Sequence, residues 1–388
     1  MAGQELSEAD LEAARKLVRY YDVHEGDRVL ITRDSYVEPL VTEAIGRVCR
    51  EQGAIVFDLL MPNPRIDLRD KDIDHAYEFF FRGVEGVDLW ISTDAGRTAG
   101  FIPKALTEYG TVMGQTQCYS LEHLRSEIWR FPMELQVEFF KRTVKLLEGK
   151  RELRITSPSG TDFTAIIPPG KLTEVGDGGQ MVLRRPGNWM GFPGGCFAFF
   201  TETSNGVHVI DYFSPIMGMK AIIDNPFTDR KNPMVITVEN GRVADVKGDL
   251  SKELVEYWEK SGNNAFGYVA AVMVGICPKG YPIGWPKAEP IQWYFPFHYS
   301  PLVSWLWLME DSFPRFMTAY NYKPTWTVDG EVVLQNGRFK FVDDPDLKEI
   351  AARFGDPDEL LKTIPFPPEM FDEGPGGKAV LQNLSGKG

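Results

Sequence analysis

His298 is the histidine with the most chemistry around it in this chain. It lies in the run Trp293-Tyr-Phe-Pro-Phe-His-Tyr299, with Trp285, Trp305 and Trp307 on either side. An imidazole changes charge near neutral pH, so in such surroundings it can move a proton on a bound molecule or ligate a metal ion. Trp293, Tyr294, Phe297 and Trp305 suit the walls of a pocket for a flat or apolar ligand, with Asn188 and Tyr320 as polar anchors and Trp189 beside them. The competing reading is that these rings pack between layers or across a subunit interface, where Trp and Tyr are also enriched.

Cys196 is the second candidate. It follows Gly194-Gly195, and His208 and His298 lie downstream, so a thiol nucleophile with an imidazole base is one reading of its role. A buried, inert thiol is the other, because free cysteine is among the most buried residue types. Other signatures are missing from the sequence. There is no G-x-S-x-G elbow, and Gly176-Asp-Gly-Gly179 and Gly191-Phe-Pro-Gly-Gly195 match neither a dinucleotide fingerprint nor a P-loop, so both read as tight turns. The five histidines, His24, His75, His123, His208 and His298, share no i, i+4 spacing, which argues against a His-rich zinc site.

Composition narrows the partners. The 388 residues carry 42 Lys+Arg against 55 Asp+Glu, a net charge of −13. Such a chain lacks the basic footprint that nucleic acid or an anionic membrane surface demands. With 43% hydrophobic and 25% charged residues it reads as globular. No stretch approaches the roughly 20 apolar residues of a bilayer span. The opening MAGQELSEADLEAARK reads as an acidic helix rather than an export leader. Four cysteines, Cys49, Cys118, Cys196 and Cys277, stand far apart without framework spacing, as expected of free thiols in a reducing cytoplasm. The expected partners are a small-molecule substrate and further copies of this chain.

The elements that must position these residues fall into two groups. Residues 6–20 have helical spacing, with Ser7 and Asp10 as a start signal. Strands at 28–32, 54–58 and 87–92 alternate with helical segments, one of them at 37–52. That pattern argues for a parallel sheet with right-handed crossovers. Near Lys150 the character changes. Segments 151–156 and 161–166 alternate around Pro158-Ser-Gly160 as a hairpin, and 207–213 with 219–223 reads as another. Asn240-Gly241 joins 233–239 to 242–246, the left-handed turn of a tight hairpin. Strand signals at 325–330 and 331–334 follow, with Asn336-Gly337 as the next turn. Helices are expected at 250–260, 301–310 and 345–362. The fold class is therefore α/β, with a parallel α/β domain over 1–148, a strand-rich mixed α+β domain over 149–365 and a loose tail over 366–388. The site is expected in the cleft between the two domains, since ligand sites favour such places.

Several segments, in order over roughly 150–340, resemble the aminopeptidase T family, whose superfamily includes iron-dependent 2,5-dihydroxypyridine dioxygenases. Thr156-Ser-Pro-Ser-Gly-Thr-Asp162 is similar to its G-T-D hairpin. Asn188-Trp-Met-Gly-Phe-Pro-Gly-Gly-Cys-Phe197 resembles its N-x-P-(A/G)-G-E-V-F segment, and Ser204-Asn-Gly206 its S-A-N-G. Val238-Glu-Asn-Gly-Arg-Val243 with Gly248, Ala270-Ala-Val-Met-Val-Gly275 and Pro324-Thr-Trp-Thr-Val-Asp-Gly330 match later motifs. The resemblance implies a catabolic enzyme, a dioxygenase or hydrolase, with Fe(II), another divalent metal or no metal at all. Yet the family's metal-binding Glu falls on Cys196 and that of its A-E-L strand on Ala271. Its His-x-Asp falls within Phe316 to Tyr320, around Thr318. His298 alone matches the ligand set, and Glu289, Glu310 or Asp311 would have to complete a relocated site. The expectation is an enzyme acting on a small cyclic or aromatic, N-heterocyclic included, molecule. A metal-dependent aminopeptidase and a non-catalytic binding protein are the alternatives.

Overall fold

The structure is a computed structural model and describes residues 5–61, 83–93, 108–116, 118–169, 189–190, 195–216, 231–260, 267–285, 293–295, 299–309 and 316–367. By contact density the chain forms two compact units. One is Met1–Trp129 with Gln180–Pro193, the other Arg130–Gly179 with Gly194–Gly388.

In the first unit, helix α1 (Glu8–Tyr20) starts where the sequence predicts. The Ser7 hydroxyl accepts the Asp10 N–H while the Asp10 carboxylate accepts the Ser7 N–H, which satisfies two donors at the helix start. Asp10 is buried, and Arg125 neutralises it at 3.1 Å. Strands β1 (Arg28–Arg33), β2 (Ile55–Leu60), β3 (Leu89–Ser92), β4 (Val112–Gln115) and the short β7 (Trp189–Met190, numbered in chain order) form one sheet in the order β2-β1-β3-β4-β7. Every pairing in it is parallel. Helix α2 (Pro39–Glu51) connects β1 to β2, and its Val41, Ala44, Ile45 and Val48 are buried. Val29, Ile31 and the whole of β3 are buried too, and the Trp90 indole N–H donates to the Thr32 hydroxyl at 2.9 Å. A near-continuous apolar run of this kind is what a sheet covered on both faces requires.

The second unit is built on an antiparallel sheet of 13 strands. It begins with β5 (Glu152–Thr156) and β6 (Asp162–Ile166), the expected hairpin. Next come β8 (Cys196–Phe200), β9 (Thr203–Ile210), β10 (Tyr212–Ile216), β11 (Met234–Glu239), β12 (Arg242–Lys247) and β13 (Tyr268–Gly275). After a separate pair, β14 (Ile283–Trp285) with β15 (Trp293–Phe295), the large sheet resumes with β16 (Val303–Met309), β17 (Phe316–Tyr322), β18 (Thr325–Val328), β19 (Glu331–Gln335) and β20 (Arg338–Phe339). Asn240 and Gly241, and Asn336 and Gly337, all have positive φ, so both predicted Asn-Gly turns are the left-handed type that their sequence favours, and Asp329-Gly330 forms a further one.

Three expectations need correction. Residues 303–309 are a strand, not part of a helix over 301–310. They sit centrally in the sheet with five of the seven side chains buried, so Val-Ser-Trp-Leu-Trp-Leu-Met shows no polar alternation to separate strand from buried helix. Residues 207–213 do not form one strand of a local hairpin. The chain turns at Asp211, whose carboxylate accepts from the Tyr322 N–H at 2.8 Å, and β10 then pairs with β17, about a hundred residues further on; residues 219–223 lie outside the described residues. The helix expected over 345–362 is two, Pro345–Ala351 and Pro357–Leu361, with Gly355 at φ 157 between them.

The helix Met133–Leu147 belongs to this second unit because its apolar side packs there: Phe140 meets Phe197 at 5.8 Å and Phe139 meets Phe341 at 5.0 Å. Its Arg142 grips three carboxylates, Glu138 at 2.9 Å, Asp344 at 2.9 Å and Asp346 at 2.6 Å, with only 15% of the side chain exposed. This fork fastens the helix to the start of Pro345–Ala351. Arg142→Met should cost about 2 kcal/mol in chemical denaturation, and Arg142→Lys should recover only part, since a point charge cannot reproduce the fork. A loss within about 0.5 kcal/mol, typical of an exposed ion pair, would show the bridge to be inert.

Candidate functional site

Register across the large sheet decides which side chains meet. Strands β8, β13, β16, β17 and β10 lie side by side, and directly opposed residues of antiparallel strands point to the same face. One row reads Ala198, Met273, Trp305, Tyr320, Tyr212. A neighbouring row on that face reads Phe200, Ala271, Trp307, Thr318, and Cys196 stands opposite Gly275. The intervening residues, among them Phe197, Phe199, Val272, Val274, Leu306, Leu308 and Ala319, are buried on the opposite face. Phe140 of the helix covers that core face.

The first face is therefore ring-lined. Trp305 and Tyr320 approach at 5.2 Å with their planes tilted by 34°, and Tyr212 meets Tyr320 edge-on at 5.4 Å. Such pairs are worth roughly 0.5–1.5 kcal/mol each beyond area burial. Cys196, Ala198, Met273, Trp305, Thr318, Tyr320 and Tyr212 are buried, whereas Phe200 is 44% exposed and Trp307 half-buried, so the face meets solvent at that end.

Gly275, the partner of Cys196, is glycine for a steric reason. A Cβ there would lie 2.3 Å from the Tyr299 carbonyl carbon and 2.3 Å from the Ser300 oxygen. The Tyr299–Ser300 peptide thus rests directly on the sheet beside Cys196, held by the Cys277 N–H donating to the Tyr299 carbonyl at 2.7 Å.

Of the residues singled out from the sequence, Cys196, Trp305 and Tyr320 come together on this face. Trp189 lies in β7 of the parallel sheet, and Trp293 and Tyr294 lie in β15, opposite Trp285 and Gly284. Asn188, Phe297, His298, Glu289, Glu310 and Asp311 lie outside the described residues. Tyr212 and Met273 escaped sequence reasoning; each stands on an alternating strand, but only long-range register reveals its neighbours.

His208, the other imidazole downstream of Cys196, is a core residue. It is fully buried, packs edge-on against Phe163 at 6.1 Å, and its Nε2 lies 3.0 Å from the Ala319 carbonyl. That contact makes Nε2 the donor, and Nδ1 has no hydrogen-bond partner among the described residues. Burial pushes its pKa from 6.5 down to about 4, so the ring is neutral at neutral pH. The unfolded chain takes up this proton first, so the stabilisation is complete above pH 6.5 and is lost as pH falls toward 4. Chemical denaturation across that window should show His208→Phe losing roughly 3 kcal/mol less than the wild type. Parallel pH profiles would contradict this environment.

Residues 121–280 match the family model of 2,5-dihydroxypyridine 5,6-dioxygenase. The structure of 2,5-dihydroxypyridine dioxygenase from Pseudomonas putida KT2440 superposes with a TM-score of 0.63 at 15% identity, over 88% of this chain and 99% of that one. The fold is that of the 2,5-dihydroxypyridine dioxygenase and aminopeptidase T superfamily. Its second structural relative here, AmpT from Thermus thermophilus, has a TM-score of 0.53 at 11% identity, over 86% of this chain and 99% of that one. No curated protein sequence matches the chain. The resemblance read from motif order is thus borne out, and both the family model and the first superposed structure describe dioxygenases.

The metal that the superfamily implies finds few donors here. Ala271, Trp307 and Thr318 are consecutive cross-strand neighbours, so the two positions onto which the motif resemblance carries metal ligands, 271 and 318, offer a methyl group and a hydroxyl. Cys196 adds one thiol on the same face. A divalent cation of the kind the motif resemblance implies calls for carboxylate and imidazole donors. Among the described residues no group of three or more His, Cys, Asp or Glu is placed to hold one. These positions do not fit a metal centre. Among the described residues, no helix is long and apolar enough to cross a membrane.

Proposed function

We propose that this protein is an enzyme acting on a small cyclic or aromatic molecule, hydroxylated N-heterocycles included, by ring cleavage or hydrolysis. The site is the ring-lined face around Cys196. The observation that carries this reading is the row Met273–Trp305–Tyr320–Tyr212 with Cys196 on the same face. Rings packed side by side at this spacing present an apolar wall, and the Tyr hydroxyls and the Thr318 hydroxyl are polar groups suited to fix orientation. The end at Phe200 and Trp307, where the face reaches solvent, serves as the entrance. A peptide substrate would need its charged N-terminus recognised by a carboxylate or a cation, and Ala271, Thr318 and Cys196 supply neither.

His298 is the proposed proton carrier, with metal ligation alongside Glu289 and Glu310 as its alternative role. In the chain it precedes Tyr299, whose carbonyl carbon lies against Gly275 opposite Cys196, and this contact supports assigning both to one site. Trp293, Tyr294 and Phe297 complete the proposed lining.

The test is turnover of a panel of hydroxylated pyridines and phenols beside leucine p-nitroanilide, each with and without added Fe(II) and Zn(II). Loss of the ring absorbance for one panel member, without nitroaniline release, is the expected result. Metal-dependent release of nitroaniline at ordinary enzyme rates, roughly 1 per second or more, would overturn the proposal in favour of a peptidase.

A further inference from the structure

Among the described residues the parallel sheet of the first unit ends at β2, and Asp58 is the one charged side chain guarding this edge. The strand is six residues long, Ile-Val-Phe-Asp-Leu-Leu, with no lysine, proline or bulge. Ile55, Phe57 and Leu60 are 54%, 53% and 56% exposed, three of the five large exposed hydrophobics among the described residues. Ile55 and Met61 donate their N–H groups to the Asp27 and Arg33 carbonyls on the β1 side. The odd-numbered residues therefore face β1, and the N–H and C=O groups of Val56, Asp58 and Leu60 point outward from the edge.

We propose that β2 is a dimerisation edge whose occupant is β2 of a second copy of this chain, antiparallel about a two-fold axis at Phe57. Only registers that keep each side chain on its own face are open to such an axis. Centring on Asp58 would set two carboxylates directly opposite each other, which is destabilising. Centring on Phe57 sets Phe57 against its counterpart, Ile55 against Leu59 and Val56 against Asp58. The Val56–Asp58 pairs are then the hydrogen-bonded ones, made from the outward N–H and C=O groups, and the Phe57 pair is the closer, non-hydrogen-bonded kind.

Charge agrees with this register. On the α2 side of the sheet, the Arg50 Nη1 and the Val56 Cγ1 lie 3.4 and 3.6 Å from the same point beside Gly46. Arg50 forms no ion pair among the described residues. Asp58 of the opposing copy, set against Val56, therefore arrives beside Arg50, and the contact occurs twice about the axis. Within its own chain Asp58 has Arg33 at 3.5 Å and the Thr42 hydroxyl at 3.2 Å, so the new cation extends an existing network.

Sedimentation of the full chain and of Phe57→Lys tests the proposal, together with oxidation of Phe57→Cys. The four native cysteines are all buried, and Cα atoms of a non-hydrogen-bonded pair, about 4.5 Å apart, are within disulfide reach. The expected results are a wild type of at least twice the chain mass, a Phe57→Lys variant of half the wild-type mass with an unchanged circular dichroism spectrum, and a covalent dimer from Phe57→Cys. A wild type at the mass of one chain would overturn the proposal. So would an oligomer that Phe57→Lys leaves intact and Phe57→Cys does not cross-link.

Discussion

Gly275→Ala is expected to cost about 3 kcal/mol of stability, at the upper end of what overpacking does, and to abolish turnover. The added Cβ would meet the carbonyl carbon of Tyr299 and the oxygen of Ser300 at 2.3 Å, both backbone atoms with no rotamer to change. Either β13 or the 299–300 peptide must move, and both carry parts of the proposed site: Ala271 and Met273 on one, the residue after His298 on the other. Gly83→Ala is the control, since nothing lies within 4 Å of a Cβ built there. Thermal or urea unfolding reads the stability and the substrate panel reads the activity. A Gly275→Ala variant as stable as Gly83→Ala would show that the close approach does not constrain the site.

The second large effect is expected at Trp305. Its indole is 3% exposed and packs on Tyr320 at 5.2 Å, so Trp305→Ala should lose about 3–5 kcal/mol, the range for removing a buried aromatic ring. Trp305→Phe separates packing from recognition. It keeps a ring on the face, should lose less stability than Trp305→Ala because it leaves a smaller cavity, and should raise KM for a ring substrate more than it lowers kcat. Tyr320→Phe leaves the ring contacts in place and removes one hydroxyl, so its effect should fall on orientation and therefore on kcat. Unchanged kinetics in both conservative variants would place substrate elsewhere.

How much of this was legible in the sequence depended on the range of the interaction involved. The capping box at Ser7 and Asp10 and the Asn-Gly turns at 240–241 and 336–337 are local chemistry, and each appears where its residues predict. The parallel β1–β4 sheet followed from alternating strands and helices. Strand β16 was misread because burial on both faces removes the period-2 signal, leaving an apolar run that also suits a helix. The pairing of β10 with β17 was hidden for another reason: no local turn connects them, and Asp211 redirects the chain toward Tyr322. For the site, residue type pointed to Cys196, Trp305 and Tyr320 separately, but their common face is a matter of register over more than a hundred residues. Tyr212 joined them only through that register. His208 looked like a partner for Cys196 in sequence and proved to be a neutral core residue bonded to the Ala319 carbonyl.

The central claim is that the face bearing Cys196, Trp305 and Tyr320 binds a small ring. The most direct measurement is a crystal structure of the protein soaked with the panel compound that binds it most tightly. The expected result is ring density in van der Waals contact with Trp305 and Tyr320, roughly 3.5–4.0 Å from their carbons, with Cys196 bordering the same volume. A well-occupied ring bound anywhere else, with that face closed by protein side chains, would contradict it.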